Sequence, residues 1–230
     1  MYKIIEDHKD FLLIDKHPGV SFHKDGNKEG LVSRLRADIG TDELYTVHRL
    51  DKMTSGLLVF ARNRETAKKL MYQFRDRQVS KNYVAISDGR PKKKQGLIKG
   101  DMVKSRRGAW RLARTMDNPA VTQFFSYALG GGLRLYFLKP HTGRTHQVRV
   151  ALKSIGVPVL GDPLYHKKVE GDTVPDRGYL HSFALRFRLN NVTYQFVHKP
   201  DTGRLFRSRI FLKTLKQCEK PWELQWPSIR

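Results

Sequence analysis

The chain has 230 residues, 39% of them apolar and 12 of them Phe, enough to bury a core and to set aside a disordered reading. Its 44 Lys and Arg against 22 Asp and Glu leave a net charge of +22, the balance of a protein that meets a polyanion. The single cysteine, Cys218, excludes an internal disulfide and a thiolate zinc cluster, and no run approaches the ~18 apolar residues of a membrane span.

Phe11 to Ile14 reads as a buried strand stopped by Pro18-Gly19, with only the polar Met1 to Asp10 before it. Leu31, Leu35 and Ile39 predict a short amphipathic helix closed by Gly40. Gly56 to Ala61 is a second strand, after which Asn63 caps a helix with Ala67, Leu70, Met71 and Phe74 on one stripe. Asn82 to Ser87 is a third strand, ending at Asp88-Gly89. Arg90 to Arg114 then carries ten Lys or Arg against one acid, Asp101, with Trp110 among them. That bias marks either a solvated basic hairpin or an RNA-facing arm, and the net charge favours the arm, with Lys92, Lys93 and Lys94 as candidate phosphate contacts.

Val121 to Leu129 and Leu133 to Lys139 form a hairpin across Gly130-Gly131-Gly132. Thr145 to Ile155 is predicted helical, with Thr145 as N-cap and Gly156 as stop. Leu185 to Leu189 and Val192 to Val197 make a hairpin across Asn190-Asn191, a pair that tolerates positive φ. The C-terminal stretch from Lys213, with Trp222 and Trp226, is expected to pack back on the body. Strands outnumber helices and hairpin signals recur, so the expected class is α+β: a mixed, mainly antiparallel central sheet with flanking helices. Residues 1–230 are read as one domain, or two closely joined lobes, without repeats or a clear linker.

Two polar clusters can carry chemistry. The first, His48 to Gly56, lies between strand-like runs, where Arg49 and Lys52 would keep the Asp51 carboxylate ionised. A turn in which Asp51 and Ser55 satisfy backbone groups is the structural alternative. The second, Lys139 to Arg149, runs a loop into a helix start, where Arg144 beside exposed amides could grip a phosphate or a carboxylate. An ordinary surface Arg144 is the competing reading. Tyr83, within Lys81 to Ala85, reads by default as a core aromatic. No histidine pair has metal-ligand spacing and no Gly-rich phosphate loop follows a strand, so neither a metal nor a nucleotide cofactor is expected.

The clusters in this order resemble the RluA-type pseudouridine synthases. His48 to Gly56 matches that family's His-Arg-Leu-Asp-x-x-Thr-Ser-Gly pattern, and Lys81, Tyr83 and Ala85 match its Lys-x-Tyr-x-Ala element. Thr142 to Arg149 matches Thr-Gly-Arg-Thr-His-Gln-x-Arg, followed by Gly161, Asp162 and Tyr165 of a Gly-Asp-x-x-Tyr pattern. Ile14-Asp15-Lys16, Pro18-Gly19 and Leu180-His181 are lesser echoes. The chain departs from the pattern at Ala151, where the family usually has His.

The resemblance implies a cofactor-free isomerase that flips a uridine out of its stack, with Asp51, Tyr83 and Arg144 converging in an active-site cleft. Asp51 would act on the nucleotide, Tyr83 would stack on the uracil and Arg144 would pair with Asp51. Arg49 would fill the space left by the base, and His48, Lys81, Thr145 and His146 would contact RNA. With ten residues before the first predicted strand and no S4-type module, RNA would be gripped by the catalytic domain itself, through the basic segment. Ribosomal or transfer RNA is the expected partner, in the cytoplasm, with no membrane and no obligate protein partner. A non-catalytic RNA-binding or ribosome-assembly factor on the same fold, and a metal-independent nuclease using His48 or His146, are the alternative readings.

Overall fold

The computed structural model describes residues 1–23, 26, 29–167 and 174–229. In chain order its elements are β1 (Tyr2–Asp7), β2 (Phe11–Lys16), α1 (Leu31–Ile39), β3 (Tyr45–Thr46), β4 (Ser55–Ala61), α2 (Arg64–Arg75) and β5 (Ser80–Ser87). They continue with β6 (Gln95–Gly100), β7 (Met102–Lys104), β8 (Trp110–Leu112), β9 (Ala120–Gly130) and β10 (Leu133–Pro140). The last are α3 (Gln147–Ser154), β11 (Leu180–Leu189), β12 (Val192–Val197) and α4 (Arg209–Leu215). The chain forms two compact units, Met1–Ser80 with His181–Lys199, and Lys81–Leu180 with Pro200–Arg230.

In the first unit the strands run β1-β2-β4-β11-β12, all antiparallel except the β4/β11 pair, which is parallel and makes the sheet mixed. Phe11, Leu13, Leu57, Val59 and Ala61 alternate onto one face and pack under Ala67 and Leu70 of α2 with Leu185, Phe187 and Leu189 of β11. Leu12, Ile14, Leu58 and Phe60, one position out of phase, are equally buried, and Phe22 stacks on Phe60. A sheet covered on both faces explains why β2 and β4 read as continuous apolar runs. Asn63 caps α2 as expected, its Oδ1 accepting from Thr66 N at 2.8 Å, and Gly40 closes α1 with left-handed φ.

Three expectations are corrected here. β1 precedes the first predicted strand; its charged residues and register shift near Ile4 hide the alternation, as suits an edge strand. Met71 points outward, 55% exposed, rather than joining the α2 stripe, because the buried face runs through Thr66, Ala67 and Leu70. The helix predicted from Thr145 starts at Gln147, and its N-cap is His146, whose φ of 58° breaks the helical path.

In the second unit β5, β10, β9 and β6 form an antiparallel series, with Tyr83 opposite Leu138. The β9/β10 hairpin turns at Gly130 to Gly132, all with positive φ. The basic segment folds into β6 and a separate two-stranded ribbon, β7–β8, whose turn carries Arg106 and Arg107. The C-terminal stretch packs as expected, Trp226 lying on Phe125 at 4.9 Å and on Phe137 at 5.4 Å. Among the described residues no helix is long and apolar enough to cross a membrane.

Candidate active site

The His48 to Gly56 loop of the first unit is tied down along most of its length. His48 Nε2 accepts from Val59 N at 3.0 Å, on the edge of β4 between the stretches paired with β3 and β11, and its ring stacks on Phe74 at 4.5 Å. Leu50 and Met53 are buried, and Thr54 N donates to Asp51 O at 3.0 Å, closing a tight turn. The fully buried Lys16 donates to three carbonyls, His17 O at 2.9 Å, Val20 O at 3.0 Å and Lys52 O at 3.2 Å, and Gly19 N adds a second bond to the Lys52 oxygen at 2.8 Å. Ser55 Oγ meets His181 Nδ1 at 2.8 Å, and His181 Nε2 meets His198 O at 3.0 Å. His198 Nε2 in turn lies 3.2 Å from Asp15 Oδ2. Burial pushes the Asp15 carboxyl up, but the His198 bond and neighbouring histidines outweigh it, so the net shift is downward. Gly56 has φ of 108° and a Cβ there would lie 2.3 Å from Ser182 O, so no side chain fits where β4 meets β11. What this frame leaves toward solvent is Arg49 and Lys52, exposed, and Asp51, partly exposed.

The second unit builds the other loop by a similar device. Gln147 is buried, and its Oε1 accepts from Thr142 Oγ1 at 2.7 Å and from Arg144 N at 3.0 Å. Its Nε2 donates to Val121 O at 3.1 Å and Thr122 Oγ1 at 3.0 Å, while Thr142 Oγ1 accepts from Val121 N at 3.1 Å. One amide thereby pins both ends of a turn to β9 and leaves Gly143, Arg144 and Thr145 exposed. The Arg144 guanidinium bonds Asn118 Oδ1. Thr145 caps nothing, because the turn closed by Gln147 N on Arg144 O at 3.1 Å passes the cap position to His146.

Lys81 and Tyr83 sit on β5, both partly exposed, and Lys81 Nζ reaches Thr142 O at 3.4 Å, so this unit brings Lys81 beside the Arg144 loop. Burial pushes the Lys81 ammonium down to about 8. His141 lies on the same approach, its Nε2 at 2.6 Å from Gln123 Oε1, and burial, then Lys139 and Lys81, pushes its pKa down. Lys92, Lys93 and Lys94 stand exposed on the approach to β6. Arg49 and Lys52 flank Asp51 on the loop of one unit, and Lys81 lies beside the loop that exposes Arg144 in the other, while Lys92 to Lys94 lead into β6 at the level of Ser126, further along β9.

The family model for RNA pseudouridylate synthases matches residues 10–154. The chain belongs to the RluA-type RNA pseudouridine synthases. It is 48% identical over 96% of its length to an uncharacterised RNA pseudouridine synthase of Haemophilus influenzae, covering 97% of that protein. It is 35% identical over 60% of its length to the dual-specificity RNA pseudouridine synthase RluA of Escherichia coli, covering 64% of that protein. Among solved structures, human RNA pseudouridylate synthase domain containing 1 superposes with a TM-score of 0.73 at 27% identity, over 87% of this chain and 84% of that one. The resemblance carried by the motifs is therefore membership, and the α+β fold is the pseudouridine synthase fold. The synthase is an isomerase: the N1–C1′ bond of uridine breaks, C5 joins C1′, the C5 proton leaves and N1 ends protonated, so the mass of the RNA does not change.

Sequence reasoning placed Lys16, Gln147, Arg149, Asp162 and Tyr165 in the family's motifs but gave none of them a part in building these loops. Lys16 and Gln147 look like ordinary polar residues until the carbonyls and amides around them are counted. Arg149 and Asp162 form a buried ion pair, two parallel bonds of 2.7 and 2.8 Å, and the Arg149 guanidinium lies over the Tyr165 ring at 5.0 Å. The spacing of Gln147, Arg149, Asp162 and Tyr165 within the third motif was the available signal.

Proposed function

We propose that the synthase acts on uridines within structured ribosomal or transfer RNA, and that Asp51 is its catalytic carboxylate. The observation that carries this reading is the frame of the 48–56 loop. Bonds made by Lys16, Ser55 and His48 anchor it at both ends and in its middle, yet Asp51 is kept partly exposed and flanked by two exposed cations. A turn that needed only to satisfy its own backbone would not require so much support.

Reaching the target base means taking it out of its stack, at a cost of a few kcal/mol. Tyr83 stacking on the uracil would return about 1–3 kcal/mol of that. Arg49 fills the space the base vacates, and Arg144, held by its backbone to Gln147, supplies positive charge at the nucleotide. His48, Lys81, Thr145 and His146 line the RNA path, with His48 and Lys81 also holding their own loops. Lys92, Lys93 and Lys94 add phosphate contacts. The single, buried Cys218 suits a reducing cytoplasm.

The test is Asp51→Asn, which keeps the shape of the side chain and removes its charge. Tritium release from C5-labelled uridine in RNA should fall to background while RNA affinity stays within about threefold of wild type. Sites are then mapped by carbodiimide modification of ribosomal and transfer RNA from cells with and without the protein. Substantial turnover by the variant would remove Asp51 from its role, and unchanged maps in both RNAs would remove the target assignment.

A further inference from the structure

The β7–β8 ribbon carries a strongly basic, exposed face of the second unit. Lys104, Arg106, Arg107 and Arg111 are exposed along it, and Arg107 takes a left-handed φ of 55° at the turn, which sets two arginines side by side at its tip. The one acid of the segment, Asp101, is engaged by backbone amides outside the ribbon, accepting from Asp117 N at 3.0 Å and Asn118 N at 2.8 Å. A two-stranded ribbon this short has little stability of its own. What holds it is therefore as informative as what it displays.

It is held through Tyr165. The Tyr165 hydroxyl accepts from Trp110 N, at the start of β8, at 2.8 Å, and lies 3.0 Å from His146 Nδ1. His146 is the residue that opens α3 in a left-handed conformation, a backbone state that is unfavourable for a non-glycine residue and persists only when its surroundings enforce it. α3 itself packs beside β8. The Tyr165 ring is fixed in turn: buried, with the Arg149 guanidinium on its face and its backbone N donating to Asp162 Oδ1 at 3.2 Å. Gly161, with φ of 74° and a notional Cβ 2.2 Å from Arg177 O, lets the chain enter this corner. One phenol oxygen thus joins the basic ribbon to the loop that presents Arg144 and Thr145.

We propose that Tyr165 is a positioning residue for RNA: its hydroxyl locks the β7–β8 ribbon to the 142–149 loop, so that Arg106 and Arg107 grip the phosphate backbone of the RNA flanking the target uridine. The inference rests on the RNA-facing reading of the basic segment and adds to it the tip that makes the contact and the joint that sets its place. Without the hydroxyl the ribbon keeps its charges but loses its fixed position, and the tip contacts then compete with the entropy of a mobile hairpin.

The test is a double-mutant cycle in RNA affinity. Tyr165→Phe keeps the ring and its Arg149 contact and removes only the oxygen. Wild type, Arg106→Ala/Arg107→Ala, Tyr165→Phe and the combined variant are titrated against fluorescently labelled bulk transfer RNA at fixed salt. Loss of the two tip arginines should weaken binding about tenfold in the wild-type background, as expected for up to two phosphate contacts, and less than about threefold in the Tyr165→Phe background. Equal losses in both backgrounds would overturn the joint while leaving the RNA-facing reading in place. A tip variant that binds as tightly as wild type would overturn the tip contact and the joint with it, while the RNA-facing reading would still stand or fall with the Lys92→Ala/Lys93→Ala/Lys94→Ala titration. A second measurement needs no variant: in the wild-type protein the Trp110 amide should exchange more slowly when RNA is bound, and an unchanged rate would overturn the proposal even if Tyr165→Phe fails to fold.

Discussion

Replacing Gln147 by Leu removes one amide and, with it, four hydrogen bonds, while nearly preserving volume. The groups left behind differ in what they lose. Val121 O still receives His141 N at 2.9 Å, so it stays satisfied. Thr142 Oγ1 still accepts from Val121 N, but its proton has no acceptor, and Arg144 N loses its partner altogether. Two donors are therefore orphaned, one buried and one partly buried, at about 1–3 kcal/mol for each buried group. The expected destabilisation is about 2–4 kcal/mol, with the upper end muted because water can reach the Arg144 amide. Urea denaturation of both proteins measures it. Activity should fall further than stability, since the turn that carries Arg144 is no longer held to β9; tritium release from uridine-labelled RNA, taken where both proteins remain fully folded, reads that second effect. A Gln147→Leu protein with wild-type stability and rate would refute the claim that this side chain holds the loop.

Lys92→Ala/Lys93→Ala/Lys94→Ala should weaken RNA binding and flatten the dependence of log affinity on log salt by up to about 2–3 units, at roughly 0.7–0.9 per phosphate, with superimposable titrations refuting any contact. The Lys81 ammonium, pushed by burial down to about 8 from an ordinary 10.5, is less easily protonated in the folded chain than in the unfolded one. Its burial therefore weighs fully on stability below pH 8 and is relieved as the pH rises toward 10.5, so wild type should gain stability over that window relative to Lys81→Met. NMR of ε-labelled lysines should show one resonance moving with a midpoint near 8, and a set that titrates together near 10.5 would contradict it.

The elements legible in the sequence are those whose ends are chemically marked. Asn63 and Gly40 bracket helices because an Asn oxygen and a left-handed glycine satisfy the groups a helix leaves open. Gly130 to Gly132 and Asn190-Asn191 announce hairpins because those turns require positive φ. The elements missed have no such mark. β1 is a charged edge strand, and the β7–β8 ribbon is too short and too polar for alternation to show. The start of α3 differs because Thr145, a good cap by type, is displaced by His146, which takes a left-handed φ and whose side chain bonds Tyr165 nearly twenty residues away. The site followed the same division. Asp51, Tyr83 and Arg144 could be singled out by motif and charge, whereas Lys16, Gln147 and Tyr165 act through main-chain groups that the sequence does not display.

The buried Arg149–Asp162 pair allows stability and function to be separated. Burying two charges costs solvation that their attraction only partly returns, so such pairs seldom persist for stability alone. Asp162→Leu strands a buried guanidinium and also orphans Leu164 N and Tyr165 N, which donate to the carboxylate at 2.9 and 3.2 Å; the expected loss is about 3–5 kcal/mol. Arg149→Met should cost less, because the carboxylate keeps those two amide donors. Combining the substitutions removes the stranded charge, so the double variant should be more stable than Asp162→Leu alone, with a coupling of about 0.5–3 kcal/mol in urea denaturation. Yet nothing in the double variant restores the contacts that fix the Tyr165 ring and backbone. It should therefore regain stability without regaining tritium release from RNA. Recovery of both together would mean that the pair serves only the fold, and a double variant less stable than Asp162→Leu would show that the two charges are not acting on each other.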